Sequence, residues 1–147
     1  MADLPDAVLY SCTMNAVRSP MAEGLMKHYF GHRVYVDSVG VRLGETSAFV
    51  VTVMDEIGID MSRHNPKTFD QLEDTSYGLV ISLSPDAQHR AVELTRTMAC
   101  ELEYWQTFDA TVVQGSRETI LDAYREVRDS LQERILRRFS EGSPPSL

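Results

Sequence analysis

Four short segments of the chain read as strands: AVLYSC (7–12), VYVDSV (34–39), GLVISL (78–83) and ELEYWQ (101–106). The first and third are unbroken apolar runs, the pattern of strands covered on both faces. Between them, apolar residues recur at helical spacing. After Ser19-Pro20, the residues Met21, Leu25 and Tyr29 share one face. Within 46–57, Val50, Val53 and Ile57 do the same, and Gly58 reads as a C-terminal stop. Ser84-Pro85 pairs an N-cap with a proline in the first turn, ahead of Ala87, Ala91, Leu94 and Met98. Gly115-Ser116 opens the longest helical pattern, carried by Ile120, Tyr124, Val127, Leu131 and Ile135. Buried strands alternating with amphipathic helices predict an α/β fold. The expected architecture is a three-layer, open, four-stranded parallel sheet flanked by helices. In such sheets ligands bind beyond the carboxyl ends of the strands, and Cys12 sits at one such end.

No internal repeat interrupts this pattern. One domain is expected over residues 1–141, with fraying at 1–6. The GSPPSL tail (142–147) is expected to be flexible, because Pro, Ser and Gly build no packed element there. A chain of 147 residues is long enough to bury a core unaided. Its 43% hydrophobic and 24% charged residues are ordinary for a globular protein. The net charge of -8, from 14 Lys+Arg against 22 Asp+Glu, argues against nucleic acid or an anionic membrane as partner. The two cysteines, Cys12 and Cys100, make neither a disulfide framework nor a zinc site. The N-terminus lacks the basic and apolar regions of a signal peptide, so a cytoplasmic location is expected.

The chemistry concentrates in YSCTMNAVRSPMAE (10–23), where six positions separate Cys12 from Arg18. A turn this short between a buried strand and a helix cannot pair all its N–H groups within secondary structure. Such a run forms a nest of donors around an anion, and the helix dipole adds to it. Thr13, Met14, Asn15, Ala16, Val17, Arg18 and Ser19 are therefore the candidate oxyanion-binding residues. Arg18 brings a planar fork suited to two phosphate oxygens. Cys12 lies at the base of the nest, where positive potential favours thiolate over thiol. Ser19 can donate its hydroxyl to that sulfur. The set fits in-line attack of the thiolate on a phosphate monoester, giving a phosphocysteine that water then hydrolyses. The leaving oxygen still needs a proton, so a carboxylic acid must come from elsewhere in the chain. A cysteine at a strand end can equally be inert packing. The strand before it, the amphipathic helix after it and Ser19-Pro20 favour the chemical reading.

CTMNAVRSPMAE (12–23) resembles the active-site loop of the low-molecular-weight protein tyrosine phosphatases, whose fold is shared by related arsenate reductases. The resemblance extends to DSVG (37–40), IGIDMSRHNPKTF (57–69) and the segment 104–131. It implies a four-stranded parallel sheet with helices on both sides, Cys12 as nucleophile and Arg18 as phosphate clamp. Asn15 would brace the loop with Ser38 and His64, Ser19 would stabilise the thiolate, and Asp109 would be the general acid. Each supporting role has a plainer alternative. Asn15 can simply tolerate a left-handed turn, Ser38 can be a turn residue, His64 a solvated histidine and Asp109 a strand-end aspartate.

Several positions depart from the family pattern. Asp109-Ala110 replaces the usual Asp-Pro, which removes a constraint on the acid. Thr111 and Val112 stand where tyrosines flank the substrate ring, leaving Phe108 or Phe49 as substitutes. Val17 takes the place of a redox-guard cysteine. Leu83-Ser84 replaces a Met-Asp after the third strand, so one carboxylate near the site is expected to be missing. Lys67, Arg63 and Arg42 are candidates for local positive potential at the mouth. The arginines of the C-terminal helix are expected on a solvated face. Trp105 reads as strand packing. His28 and His32 are separated by Gly31, and no metal or other cofactor is expected.

Three functions follow. The first is a cysteine-dependent phosphomonoesterase acting on a phosphotyrosine-containing protein or a small aryl phosphate. The depth of the family's cradle favours the long aryl ester. The second is an arsenate reductase with an external thiol carrier, since the family's thioredoxin-linked type needs further cysteines after the third strand and SLSPDAQHR has none. The third is a non-catalytic module binding phosphate or a phosphopeptide.

Overall fold

The computed structural model describes residues 4–72 and 76–140. The expected tail and residues 1–3 lie outside the described residues. The elements run β1 (Ala7–Cys12), α1 (Arg18–Phe30), β2 (Tyr35–Gly40), α2 (Ala48–Asp55), β3 (Leu79–Ser82), α3 (Pro85–Leu94), β4 (Glu101–Tyr104) and α4 (Arg117–Phe139). The strands form one sheet in the order β2-β1-β3-β4 with every pairing parallel.

Successive β1 side chains serve opposite cores, as the two-residue strand period requires. Val8, Tyr10 and Cys12 pack with residues of α1, α2 and α4, whereas Ala7 and Leu9 pack with Ala91 of α3 and with Met98. This is the three-layer arrangement the apolar runs predict. Cys12 therefore leaves β1 on the α1 side, and the chain after it must turn into that helix. No helix among the described residues is long and apolar enough to cross a membrane.

Most starts and stops follow the local chemistry. Ser84 caps α3 by accepting from Ala87 N–H, with Pro85 in the first turn. Ser116 caps α4 through Thr119 N–H. Gly58, beyond α2, has φ +82°, which a side chain would resist. Trp105 is buried against Tyr10, edge to face, with ring centroids 5.9 Å apart.

Arg134, Arg137 and Arg138 lie on the expected exposed face of α4, but Arg125 and Arg128 depart from it. Arg128 is only 8% exposed, and its Nη1 donates to Val53 O at 2.7 Å and to Glu56 at 2.8 Å. Arg125 pairs with the same carboxylate at 2.7 Å. Their hydrogen bonds hold Glu56 down at about 2, against an ordinary 4.5. Arg134 lies over the Trp105 ring at 5.0 Å, and Arg138 meets Glu103 at 2.6 Å. The physical reason is the length of the side chain. An arginine stem crosses the helix flank and delivers its charge to a neighbouring element.

Candidate active site

The loop from Cys12 to Arg18 is shaped by where its carbonyls go. Those of Cys12, Thr13 and Met14 accept from the N–H groups of Val41 (3.1 Å), Arg42 (2.9 Å) and Gly44 (3.0 Å). The Asn15 carbonyl lies 3.2 Å from His64 Nε2. In a planar trans peptide the N–H points opposite to the C=O. The N–H groups of Thr13, Met14, Asn15 and Ala16 thus face away from these partners. A concave row of donors results, closed by the N-terminus of α1.

Asn15 makes this geometry possible. It takes φ +52°, a left-handed conformation that asparagine tolerates better than most residues. Its side chain is fully buried and fully used. Nδ2 donates to Ser19 Oγ and to Ser38 Oγ, both at 2.9 Å, and Oδ1 accepts from Lys67 N–H at 2.9 Å. Ser38 Oγ in turn donates to the Glu23 carboxylate. His64 Nδ1 lies 3.8 Å from the same carboxylate. Ser38 is a buried strand residue rather than a turn residue, and His64 is half-buried rather than solvated.

The network ends on sulfur. Ser19 Oγ lies 2.9 Å from Cys12 Sγ, and Ser19 N–H points at the same atom from 3.4 Å. Asn15 donates to Ser19 Oγ, so the one Ser19 proton has two acceptors, the sulfur at 2.9 Å and Val39 O at 3.3 Å, and the sulfur is the nearer. Two donors converging on one sulfur suit an anion.

Arg18 is half-buried and bridges two loops. Its Nη2 reaches Thr13 Oγ1 and its Nη1 reaches Thr107 O, each at 3.4 Å. The guanidinium thus lies against the residue next to Cys12 and against the segment that leads to Asp109. Asp109 is hydrogen-bonded within its own turn. Its Oδ1 accepts from Thr111 N–H at 3.0 Å and from Thr111 Oγ1 at 2.6 Å, and Ala110 behind it is fully buried. Burial pushes the Tyr124 hydroxyl up; a hydrogen bond with Ser47 opposes this, and the nearby Asp109 carboxylate adds to it.

Four expectations about the surroundings need correction. A carboxylate does stand near the site: Asp86, in the first turn of α3, accepts from Thr13 Oγ1 at 2.7 Å. Burial pushes its pKa up, but hydrogen bonds from Thr13, Ser84 and Ala87 N–H outweigh this and hold it below the ordinary value. Lys67 supplies no free positive charge, since its Nζ lies 2.6 Å from Asp37. Arg42 faces Asp86 at 3.7 Å. Phe49 is committed to the Tyr124 ring at 5.2 Å, which leaves Phe108, 58% exposed beside Asp109, as the available aromatic.

From the sequence Glu23 and Asp86 receive no role, Gly40 enters only as part of the DSVG segment and Thr111 only as replacing an aromatic residue, although each left a local trace. Glu23 lies one helical turn beyond Ser19. Gly40 closes the DSVG segment, Asp86 follows Ser84-Pro85, and Thr111 sits two residues after an aspartate, the spacing of a side-chain turn.

Comparison with known proteins agrees with the fold. Residues 7–141 match the model of the low molecular weight phosphotyrosine protein phosphatase family. An arsenate reductase of Halalkalibacterium halodurans is 33% identical over 135 residues, spanning 91% of this chain and 94% of that protein. The solved structure of an arsenate reductase in the phosphate binding state has a TM-score of 0.74 at 28% identity, covering 88% of this chain and 92% of its own. A low molecular weight protein tyrosine phosphatase from T. tengcongensis has a TM-score of 0.67 at 26% identity, with 88% and 94% covered.

Proposed function

The chain belongs to the low molecular weight phosphotyrosine protein phosphatase family, and from that premise we propose that it hydrolyses aryl phosphate monoesters through a phosphocysteine on Cys12. The observation that carries this reading is the pair of Ser19 donors on the Cys12 sulfur, at the foot of a loop whose N–H groups face one side.

The phosphate dianion sits in the loop with Arg18 across its equatorial oxygens. The sulfur attacks phosphorus in line. The S–P bond forms as the ester P–O bond breaks, and Asp109 gives its proton to the departing oxygen. Asp109, now a carboxylate, takes a proton from water. The new P–O bond forms as S–P breaks, and the thiolate and inorganic phosphate are released. Asp86 is the poorer candidate for the acid: donors from three residues, Thr13, Ser84 and Ala87, hold its ionised form, against Thr111 alone at Asp109.

Aryl phosphates of graded leaving-group ability test the reading. Asp109→Asn slows poor leaving groups by about 10²–10⁴-fold and good ones far less. Equal slowing of both would assign the proton to another group. Cys12→Ser abolishes turnover while phosphate binding persists.

The names of the relatives favour a second reading, reduction of arsenate. The first step is shared: the thiolate attacks arsenic and expels an oxygen as water. A second thiol must then attack the Cys12 sulfur, forming a disulfide as arsenic leaves with the electron pair as arsenite. Cys100 is out of reach. It precedes Glu101, which is level through β3 with Val8, so Cys12 lies roughly 16 Å farther along the strands. A disulfide needs Cα atoms within about 7 Å. Burial also pushes the Cys100 thiol up. Reduction would therefore require a thiol carrier. Parallel assays of aryl phosphate and arsenate, with and without that carrier, separate the readings.

A further inference from the structure

Thr13 is held at both ends. Its carbonyl accepts from Arg42 N–H at 2.9 Å, and its hydroxyl sits among Asp86 Oδ1 (2.7 Å), Ser84 Oγ (3.1 Å) and Arg18 Nη2 (3.4 Å). A threonine hydroxyl has one proton and two lone pairs, while a guanidinium only donates. Asp86 Oδ1 also accepts from Ser84 Oγ at 2.8 Å. The Ser84 proton is thus taken, and the Thr13 proton goes to the nearer, charged acceptor. That leaves a Thr13 lone pair turned toward Arg18.

We propose that Asp86 is a positioning residue for the oxyanion clamp: by taking the Thr13 proton, it fixes the Thr13 oxygen as the acceptor that aims Arg18 at the bound phosphate. The inference rests on the reading of the loop as a phosphate site, and it reaches beyond it to a carboxylate that touches no substrate. Without Asp86 the remaining partner is Ser84 Oγ at 3.1 Å, whose own proton, no longer taken by Asp86, can donate to Thr13 as readily as accept from it. The Thr13 proton then has no fixed direction and can oppose Arg18, whose contact with Thr13 loosens while that with Thr107 O stays. A planar fork that must meet two oxygens at once loses most when its orientation is lost.

Calorimetric titration of the full chain with inorganic phosphate tests this without requiring turnover. Asp86→Ala weakens phosphate binding by about tenfold, and Asp86→Asn, of nearly the same shape, weakens it by about threefold or more. Thr13→Val weakens it comparably, and adding Asp86→Ala to Thr13→Val changes affinity by less than about twofold. That lack of further loss marks action through Thr13. A change in α3 alone would lower the urea midpoint without moving phosphate affinity, and this result overturns the proposal. So does an undiminished Asp86→Ala effect in the Thr13→Val background. If Asp86→Ala is too unstable to titrate, unchanged affinity in Asp86→Asn overturns it. Failure of the wild type to hydrolyse aryl phosphates, with these affinity shifts intact, would remove the phosphatase reading and leave the positioning role standing.

Discussion

Replacing Gly40 by alanine is the sharpest test of the loop. A Cβ built there would lie 2.6 Å from Asn15 N and 2.8 Å from Met14 C, both backbone atoms of the Cys12–Arg18 loop. Ordinary contact begins at 3.4 Å, so something must recede by about 1 Å. Gly40 itself is poorly placed to do so. Its N–H donates to Lys67 O at 2.8 Å, and it is in register with Cys12 across the β1–β2 pairing. The Cys12–Arg18 loop is therefore the part that moves. Overpacking of this kind costs about 1–3 kcal/mol of stability, which leaves a folded protein. On the proposed chemistry the effect on turnover is larger, because a misplacement of about 1 Å at a reacting centre costs on the order of 10²-fold. The assay is kcat/KM for an aryl phosphate, run beside a urea unfolding curve. Gly78→Ala, where the added Cβ meets nothing within 4 Å, is the control and stays near wild type. Activity of Gly40→Ala within about threefold of wild type would refute the claim that the cradle's position governs the chemistry.

Ser19→Ala removes a hydroxyl from the Cys12 sulfur and lowers kcat/KM by about 10–10²-fold; an effect within twofold in steady-state assays would mean the thiolate draws its support from elsewhere. Glu56, held at about 2 against 4.5, contributes stability that is complete above its unfolded value and lost as pH falls through the folded one. Urea unfolding followed downward from pH 4.5 therefore shows a falling stability in the wild type that Glu56→Gln flattens, and an unchanged acid limb would contradict the Arg125–Glu56–Arg128 clasp.

The chain's periodicities were enough to place the layers, because strand and helix spacing depend on local patterns that survive folding. The first strand matches its apolar run, Ala7–Cys12, and the Ser84 and Ser116 caps lie where their neighbours place them. The Cys12–Arg18 spacing pointed to the cradle for the same reason, since both ends of the turn belong to adjacent elements. What spacing could not give was any partner brought in from a distant segment. Asp86 meets Thr13 across 73 positions, and Arg128 meets Val53 across 75. Both depend on which helix lands beside which, and on where a long or acidic side chain turns after packing. The missing carboxylate was sought at Ser84 and found two residues later, because the first turn of α3 carries Asp86 back toward the loop. Similarly, the Thr111 hydroxyl that meets Asp109 depends on a turn geometry that residue identity alone does not fix.

The ends of the helices show how the fold separates stability from chemistry. Serine caps α2, α3 and α4, with Ser47, Ser84 and Ser116 each accepting an N–H from the first turn. The helix α1 starts after Val17, with no side-chain cap and no acidic residue in its first turn. A cap is worth about 1 kcal/mol, and its absence leaves donors unsatisfied at the positive end of the helix dipole. A serine is close by, but Ser19 directs its hydroxyl to Cys12 rather than to its own helix. An acidic cap at this end would have occupied the same donors and repelled a dianion. Among the described helices the local stability forgone falls at the end of α1 that faces the sulfur, where on the proposed function an incoming oxyanion would supply both the missing acceptors and the missing charge. On this view the loop is organised before substrate arrives, and the strain at Asn15 is held by the buried bonds to Ser19, Ser38 and Lys67 rather than by the ligand.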